Sequence, residues 1–328
     1  MKRWTLVALM VASSVAAADD APAPSAPAAP SKISVSTVDD EPGAPGENDA
    51  AEAPAPDPVA PAPAAPAHAK ARMSMPAQRA VHHERAAKDD GEGRLDKKED
   101  TIAGGKHWRI KTSQGAVHVW IPSGYDRATA GTVVYVHGYW TDADGAWKEH
   151  ELAKQFRASK QNAMFIVPDA PASNDDGVNW PALTDLRKAV ARANLHLPDG
   201  PMIVMGHSGA FRTIMQWVDH RLVDQIILLD ALYAGESAFD EYIGSGKHAD
   251  EHKLIVVAAS TAEESAAFSK KYKFAVARER MPDGASGFSK HERTAKLLYV
   301  HSQYEHMQIV TGGKVIPTLL HLTPLKAL

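Results

Sequence analysis

The chain has no cysteine among its 328 residues. That excludes disulfide stapling, thiolate metal sites and a lipid-modified N-terminal cysteine, so folding must rest on an ordinary apolar core. Aromatic residues are absent between Trp4 and Trp108. A stretch that long without aromatics cannot bury enough apolar area to offset its ordering entropy. Excess charge of one sign is also missing: the formal net charge is −4. Residues 19–66 account for −8 of it, and residues 101–328 come to about +1. A nearly neutral 101–328 region has no electrostatic footprint for nucleic acid. Neither a phosphate-binding loop nor a dinucleotide fingerprint occurs, and no cofactor is implied.

What is present divides the sequence in three. Residues 1–18 open with Lys2 and Arg3, continue through the apolar run WTLVALMVASSV, and end in Ala16-Ala17-Ala18. This is the pattern of a secretory leader cut before Asp19. The run is well short of the roughly 20 residues that span a bilayer. The expected location is therefore secreted or periplasmic, with no stable membrane insertion after cleavage. Residues 19–100 are expected to form a disordered linker, Pro/Ala-rich at first and then charged. Twelve of the 22 prolines fall between 19 and 66, where a partly polyproline-II tether is expected. Such a tether could bring the folded part near a cell wall. His82 and His83 lie in this linker without a second ligand pair, and the carboxylate-rich SNDDGVNW (173–180) lacks calcium-loop spacing. No metal site is expected.

Residues 101–328 are long enough for one sizeable core. HWRIKT and AVHVWIP alternate around Ser113-Gln114-Gly115 and predict an antiparallel hairpin. Beyond it the pattern changes to continuous apolar runs: TVVYVHG, AMFIVPDAP, PMIVMG, DQIILLD, HKLIVVAAS and AKLLYVHS. Helix-periodic segments separate them, at 146–159, 180–195, 209–220 and 262–278, with a closing segment after Met307 broken near Gly312-Gly313 and Pro317. Buried-type strands alternating with amphipathic helices predict an α/β fold, a mostly parallel central sheet with helices on both faces. Functional groups on such sheets gather at the carboxyl ends of the strands.

One of those ends is unusual. Gly206-His207-Ser208-Gly209-Ala210 follows a strand and opens a helix. A serine on so sharp a turn needs small neighbours two residues away, and Gly206 and Ala210 supply them. Together with VVYVHGYW and a late histidine, this pentapeptide resembles the nucleophile elbow of the α/β-hydrolase family, over roughly residues 107–328. Ala210 departs from the glycine usual at the fifth position.

The resemblance implies a serine hydrolase with the chain order nucleophile, acid, histidine. Ser208 is then the nucleophile and His306, in the loop after the last strand, the base. His301 is the other candidate, but its place within the strand run suggests packing. The acid is Asp230, at the end of IILLD, or else Glu263 or Glu264 after the next strand, which are also ordinary first-turn residues, with Glu263 the second choice. The oxyanion hole is expected from the N–H groups of Gly209 and Tyr139. His137 is expected to be structural, with His207 and Trp140 lining the site. The implied activity is hydrolysis of a small-molecule or polymeric ester or amide through an acyl-enzyme, the esterase/lipase type of reaction. A cell-wall peptide amidase or a non-catalytic envelope-binding module would use the same fold.

Overall fold

The computed structural model describes residues 95–328. The expected leader and most of the expected linker lie outside the described residues. Residues 97–100, expected in the linker, instead belong to the first strand. That strand, β1 (Lys97–Ile102), is polar and mostly exposed. It holds its place by antiparallel pairing with β2 (Gly105–Thr112), and Trp108 Nε1 donates to Glu99 at 2.6 Å. β2 in turn pairs with β3 (Gly115–Pro122), which completes the expected hairpin.

The parallel part follows: β4 (Gly131–Val136), β5 (Ala163–Pro168), β6 (Met202–His207), β7 (Val223–Leu229), β8 (Lys253–Ala258), β9 (Ala275–Arg278) and β10 (Leu297–His301). The sheet order is β1-β2-β3-β5-β4-β6-β7-β8-β10-β9. β3 meets β5 antiparallel, and every later pairing is parallel. β4, β5 and β6 are buried at every residue. Their side chains alternate between two cores, as a sheet covered on both faces requires. Val134, Val136 and Val204 enter the core shared with α3 (Leu183–Arg192), α4 (Phe211–Ile214), α5 (Glu236–Asp240) and α6 (Ala262–Lys270). Val133, Tyr135 and Met205 enter the opposite core, with α1 (Ala143–Glu149), α2 (Leu152–Ser159), α8 (Gln308–Thr311) and α9 (Val315–Leu320). The short α7 (Lys290–Thr294) starts with a capping box between Ser289 and Glu292.

Three expected helices come out differently. The segment 146–159 is two helices, broken where Glu151 takes φ +47°. The break lets His150 turn inward, where its Nδ1 meets the Tyr135 hydroxyl at 2.9 Å. The helix expected to run to residue 278 stops at Lys270, and Ala275–Arg278 joins β10 as a parallel edge strand. Open sheet-edge hydrogen bonds outweigh local helix preference there. Of 209–220, only Ser208–Ala210 (3₁₀) and α4 are regular helix, and turns finish the segment.

A polar chain centred on two buried histidines ties the hairpin to α1. His107 Nδ1 meets Asp100 at 2.7 Å, His107 Nε2 meets His118 Nδ1 at 2.8 Å, and His118 Nε2 meets Asp144 at 2.9 Å. Arg109 donates twice to the same Asp144 carboxylate, both at 2.6 Å. The two imidazoles stack on each other and on Trp147. Since α1 follows directly on the loop after β4, this chain anchors the far end of that loop.

Candidate active site

β6 ends at His207, and the next residue, Ser208, has φ +54°. A serine in the left-handed region is strained and is held there by its surroundings. The surroundings show how. A Cβ on Gly206 would lie 2.4 Å from Ile214 Cδ1 and 2.7 Å from the Ala210 Cβ. The strand and the helix are thus packed so closely that Gly206 has no room for a side chain. A Cβ on Gly209 would fall 2.3–2.5 Å from ring carbons of Tyr139, so the Tyr139 ring rests directly on the Gly209 backbone.

That ring is fixed from above. Tyr139 Oη donates to Asn174 Oδ1 at 2.9 Å, and Arg212 reaches Tyr139 Oη at 3.3 Å. Arg212 also donates to the carbonyls of Ser173 (3.0 Å) and Asp176 (2.7 Å). The polar loop 173–176 therefore serves as a clamp on the loop after β4. His137 braces that loop from below: its Nδ1 donates to Gly138 O at 2.8 Å, and its Nε2 accepts from Ala170 N–H at 2.9 Å. The Trp140 N–H is committed to Ala172 O at 2.8 Å. The N–H groups of Tyr139 and Gly209 have no hydrogen-bond partner among the described residues.

Asp230 follows β7 and is fully buried, at φ +48°. Its Oδ1 accepts from Ala259 N–H (2.9 Å), Thr261 N–H (2.9 Å) and Thr261 Oγ1 (2.8 Å). Its Oδ2 accepts from Ser260 N–H (3.0 Å) and from His306 Nδ1 at 2.6 Å. Burial alone would raise this carboxyl's pKa, but the His306 bond and the three backbone donors outweigh it and hold the group well below the usual carboxylate range. Asp230 is thus a buried, fully solvated-by-protein anion facing one imidazole.

Ser208, Asp230 and His306 follow β6, β7 and β10 at the carboxyl edge of the sheet, and of the candidate partners it is His306 that pairs with Asp230. Glu263 is exposed in the first turn of α6. His301, expected to point into packing, is exposed at the end of β10, with Nδ1 3.6 Å from Glu279. The reason is its position, the last of the strand, where the helices covering the sheet no longer reach.

Of the two expected lining residues, Trp140 is 76% exposed on the loop after β4. His207 is only 2% exposed and cannot line a substrate pocket. Instead its Nε2–H donates to the His306 carbonyl at 3.1 Å, with the two rings 4.4 Å apart. Burial, then the nearby His306 and His150, push its pKa down to about 3, which keeps the ring a neutral donor. Sequence reading also passed over Tyr233. Its ring stands edge-on to His306, centroids 6.3 Å apart, and its hydroxyl faces those of Ser208 and Ser260. Ser208 makes no hydrogen bond to His306 among the described residues.

The segment between Asp230 and His252, short enough for a small cap at most, packs onto the core through Phe239, Tyr242 and Ile243. Among the described residues, no group of three or more histidine, aspartate or glutamate side chains is placed to hold a metal ion.

No protein-family model matches the sequence, and no curated protein matches it. Solved structures similar to it include an S-formylglutathione hydrolase from Agrobacterium tumefaciens, at 11% identity over 68% of this chain and 96% of that one, with a TM-score of 0.40. A feruloyl esterase module from Clostridium thermocellum shares 13% identity over 70% of this chain and 88% of its own, TM-score 0.41. A fluorophosphonate-binding serine hydrolase of Staphylococcus aureus shares 12% over 71% and 100%, TM-score 0.41. The fold of the described residues is that of the α/β-hydrolases: a mostly parallel sheet, covered on both faces, with a strand-to-helix elbow at Ser208.

Proposed function

We propose that the protein is a serine hydrolase that cleaves a carboxylic ester, or an amide, through an acyl-enzyme. The observation that carries this reading is the pairing of Asp230 with His306 at 2.6 Å beside a serine held at φ +54°. A strained, half-buried serine and a buried anion addressed to one imidazole nitrogen have no joint structural purpose. For catalysis both are needed.

Ser208 Oγ attacks the carbonyl carbon while His306 Nε2 takes its proton. Asp230 holds the ring by Nδ1–H, so that Nε2 is the free base, and it stabilises the imidazolium that forms. The N–H groups of Gly209 and Tyr139 receive the developing oxyanion. His306 then passes its proton to the leaving group, and water, activated by the same ring, releases the acyl group. The rigidity of the Tyr139 loop, clamped by Arg212 and resting on Gly209, supports its part as a preorganised donor.

The reading extends to location. Residues 1–18 have the charge, apolar and small-residue pattern of an export leader, which supports work outside the cytoplasm. Mass spectrometry of the exported protein should give a mature chain starting at Asp19. The enzymatic reading is tested by a fluorophosphonate probe. The wild-type chain should be labelled at Ser208 and the Ser208→Ala chain should not. A folded wild-type chain that resists labelling and hydrolyses no ester or amide would instead favour a binding module on the same fold.

A further inference from the structure

Sheet order sets the sides of the site. β6, which carries Ser208 at its end, lies between β4 and β7. The loop with Tyr139 follows β4, on one side of the serine. The loop with Tyr233 follows β7, on the other. Ser260, after β8, lies farther along the same side as Tyr233, and His306 reaches in from beyond it, after β10. An acyl group whose carbonyl oxygen points to the Tyr139 side therefore directs its leaving group toward His306 and Tyr233.

Tyr233 is built for that side. Ala231 and Leu232 before it are fully buried, whereas Tyr233 itself is 47% exposed, with its ring beside His306. Phe211 flanks its ring at 6.3 Å and His306 meets it edge-on at 6.3 Å. Its hydroxyl faces the hydroxyls of Ser208 and Ser260. Ser260 is itself fixed, because its N–H donates to Asp230 Oδ2. A large side chain this exposed, with its one polar atom turned toward the serine, needs a reason beyond packing.

We infer that Tyr233 is a catalytic hydrogen-bond donor to the leaving-group oxygen, acting beside His306 within the serine-hydrolase reading on which this inference rests. As the tetrahedral adduct collapses, the carbon–oxygen bond breaks and its electron pair goes to the leaving oxygen. The proton on His306 Nε2 moves to that oxygen. Tyr233 donates a hydrogen bond to the same oxygen and keeps its own proton throughout. In deacylation the attacking water takes the leaving group's place and meets the same phenol. Burial, and after it the Asp230 charge, push the Tyr233 pKa up to about 12, so the phenol is a donor and not a base over the working range.

The test uses the full chain and two esters of one acid. Ethyl butyrate expels a basic alkoxide and needs help at the leaving oxygen; 4-nitrophenyl butyrate expels a stable phenolate and needs little. Tyr233→Phe keeps the ring between Phe211 and His306, so the fold should persist. It should lower kcat/KM for the ethyl ester about 10–100-fold and for the nitrophenyl ester about threefold or less. Fluorophosphonate labelling of Ser208, which expels fluoride, should continue. Equal losses on both esters, or an undiminished ethyl ester rate, would overturn the inference while leaving the hydrolase reading standing. A wild-type chain that turns over neither ester and is not labelled at Ser208 would remove both.

Discussion

His306 Nδ1 and Asp230 Oδ2 are 2.6 Å apart, and the same oxygen also accepts the Ser260 N–H at 3.0 Å. No donor can replace Oδ2 there without opposing both. Asp230→Asn places an amide that must either turn its NH₂ toward those two donors or turn it toward Ala259 and Thr261. In the first case the imidazole loses the acceptor that fixes its tautomer; in the second it keeps only a neutral oxygen, which stabilises the imidazolium less, and the donors of Ala259 and Thr261 are opposed. The expected result is a fall in kcat of about 10³–10⁴-fold with the chain still folded. Glu263→Gln, on an exposed helix turn, should leave turnover within about twofold. Steady-state kinetics on any ester the wild type accepts checks both, and a Glu263→Gln chain that loses most of its turnover would move the acid.

Gly209 provides a steric test of the Tyr139 loop. Its backbone is not in the left-handed region, so alanine adds no dihedral strain. The added Cβ would nevertheless lie 2.3–2.5 Å from the Tyr139 ring. That ring is held at its far end by Asn174 and Arg212, and it can yield only by shifting the loop that carries the Tyr139 N–H. Gly209→Ala is expected to lower kcat about 10²-fold or more with little change in thermal stability. A Gly209→Ala chain of unchanged kcat would show that the loop N–H does not contact the reacting oxygen.

The parts of this molecule legible in its sequence are those fixed by local pattern. Continuous apolar runs such as TVVYVHG mark strands buried on both faces, and the pentapeptide around Ser208 marks the elbow because every clash that shapes it is within a few residues. Asp230 stood out because an aspartate after four apolar residues must have a partner. What escaped reading depends on contacts far apart in the chain. β1 is polar, and only its pairing with β2 makes it a strand. Ala275–Arg278 has helix-compatible residues and is drawn to the open edge of β10. His207 appeared to be a lining residue, yet its ring nitrogen serves a carbonyl 99 positions later. Tyr233 lies three residues after the acid without any motif to mark it; the signal available was a large aromatic in a loop at a strand's carboxyl end.

His207 gives a separate test, since its buried ring donates to the carbonyl of His306, the proposed base. Phenylalanine fills the same buried space but cannot donate. His207→Phe should leave the His306 backbone free to drift and lower kcat about tenfold, with KM changed little. Glutamine, which can still donate, should recover part of the loss. The pH profile separates this from general loosening. The ring of His207 does not take up a proton until about pH 3, so removing it should leave the acid limb of the profile in place. A limb that moves with His207→Phe would assign the titrating group to His207.

The same burial gives the fold a defined acid sensitivity. His207 and His150 have folded pKa values of about 3 and about 4, both lowered chiefly by burial from an ordinary value of 6.5. Between those limits the unfolded chain binds protons that the folded chain refuses, so stability falls as pH drops below about 6.5. Each histidine is expected to cost about 1–2 kcal/mol by pH 5. Asp230 acts in a lower window. Its carboxyl is held below the ordinary 3.8 in the folded state, so its contribution is fully present above that value and is lost as pH falls further. Thermal unfolding followed by circular dichroism should therefore show a melting temperature that is flat near pH 7–8, declines between pH 6.5 and pH 4, and continues to decline below as Asp230 takes up its proton. Replacing His150 with phenylalanine should flatten the first decline, at the cost of the Tyr135 hydroxyl's partner. A melting temperature constant from pH 7 to pH 4.5 would mean that the two imidazoles take up protons in the folded chain as readily as in the unfolded one.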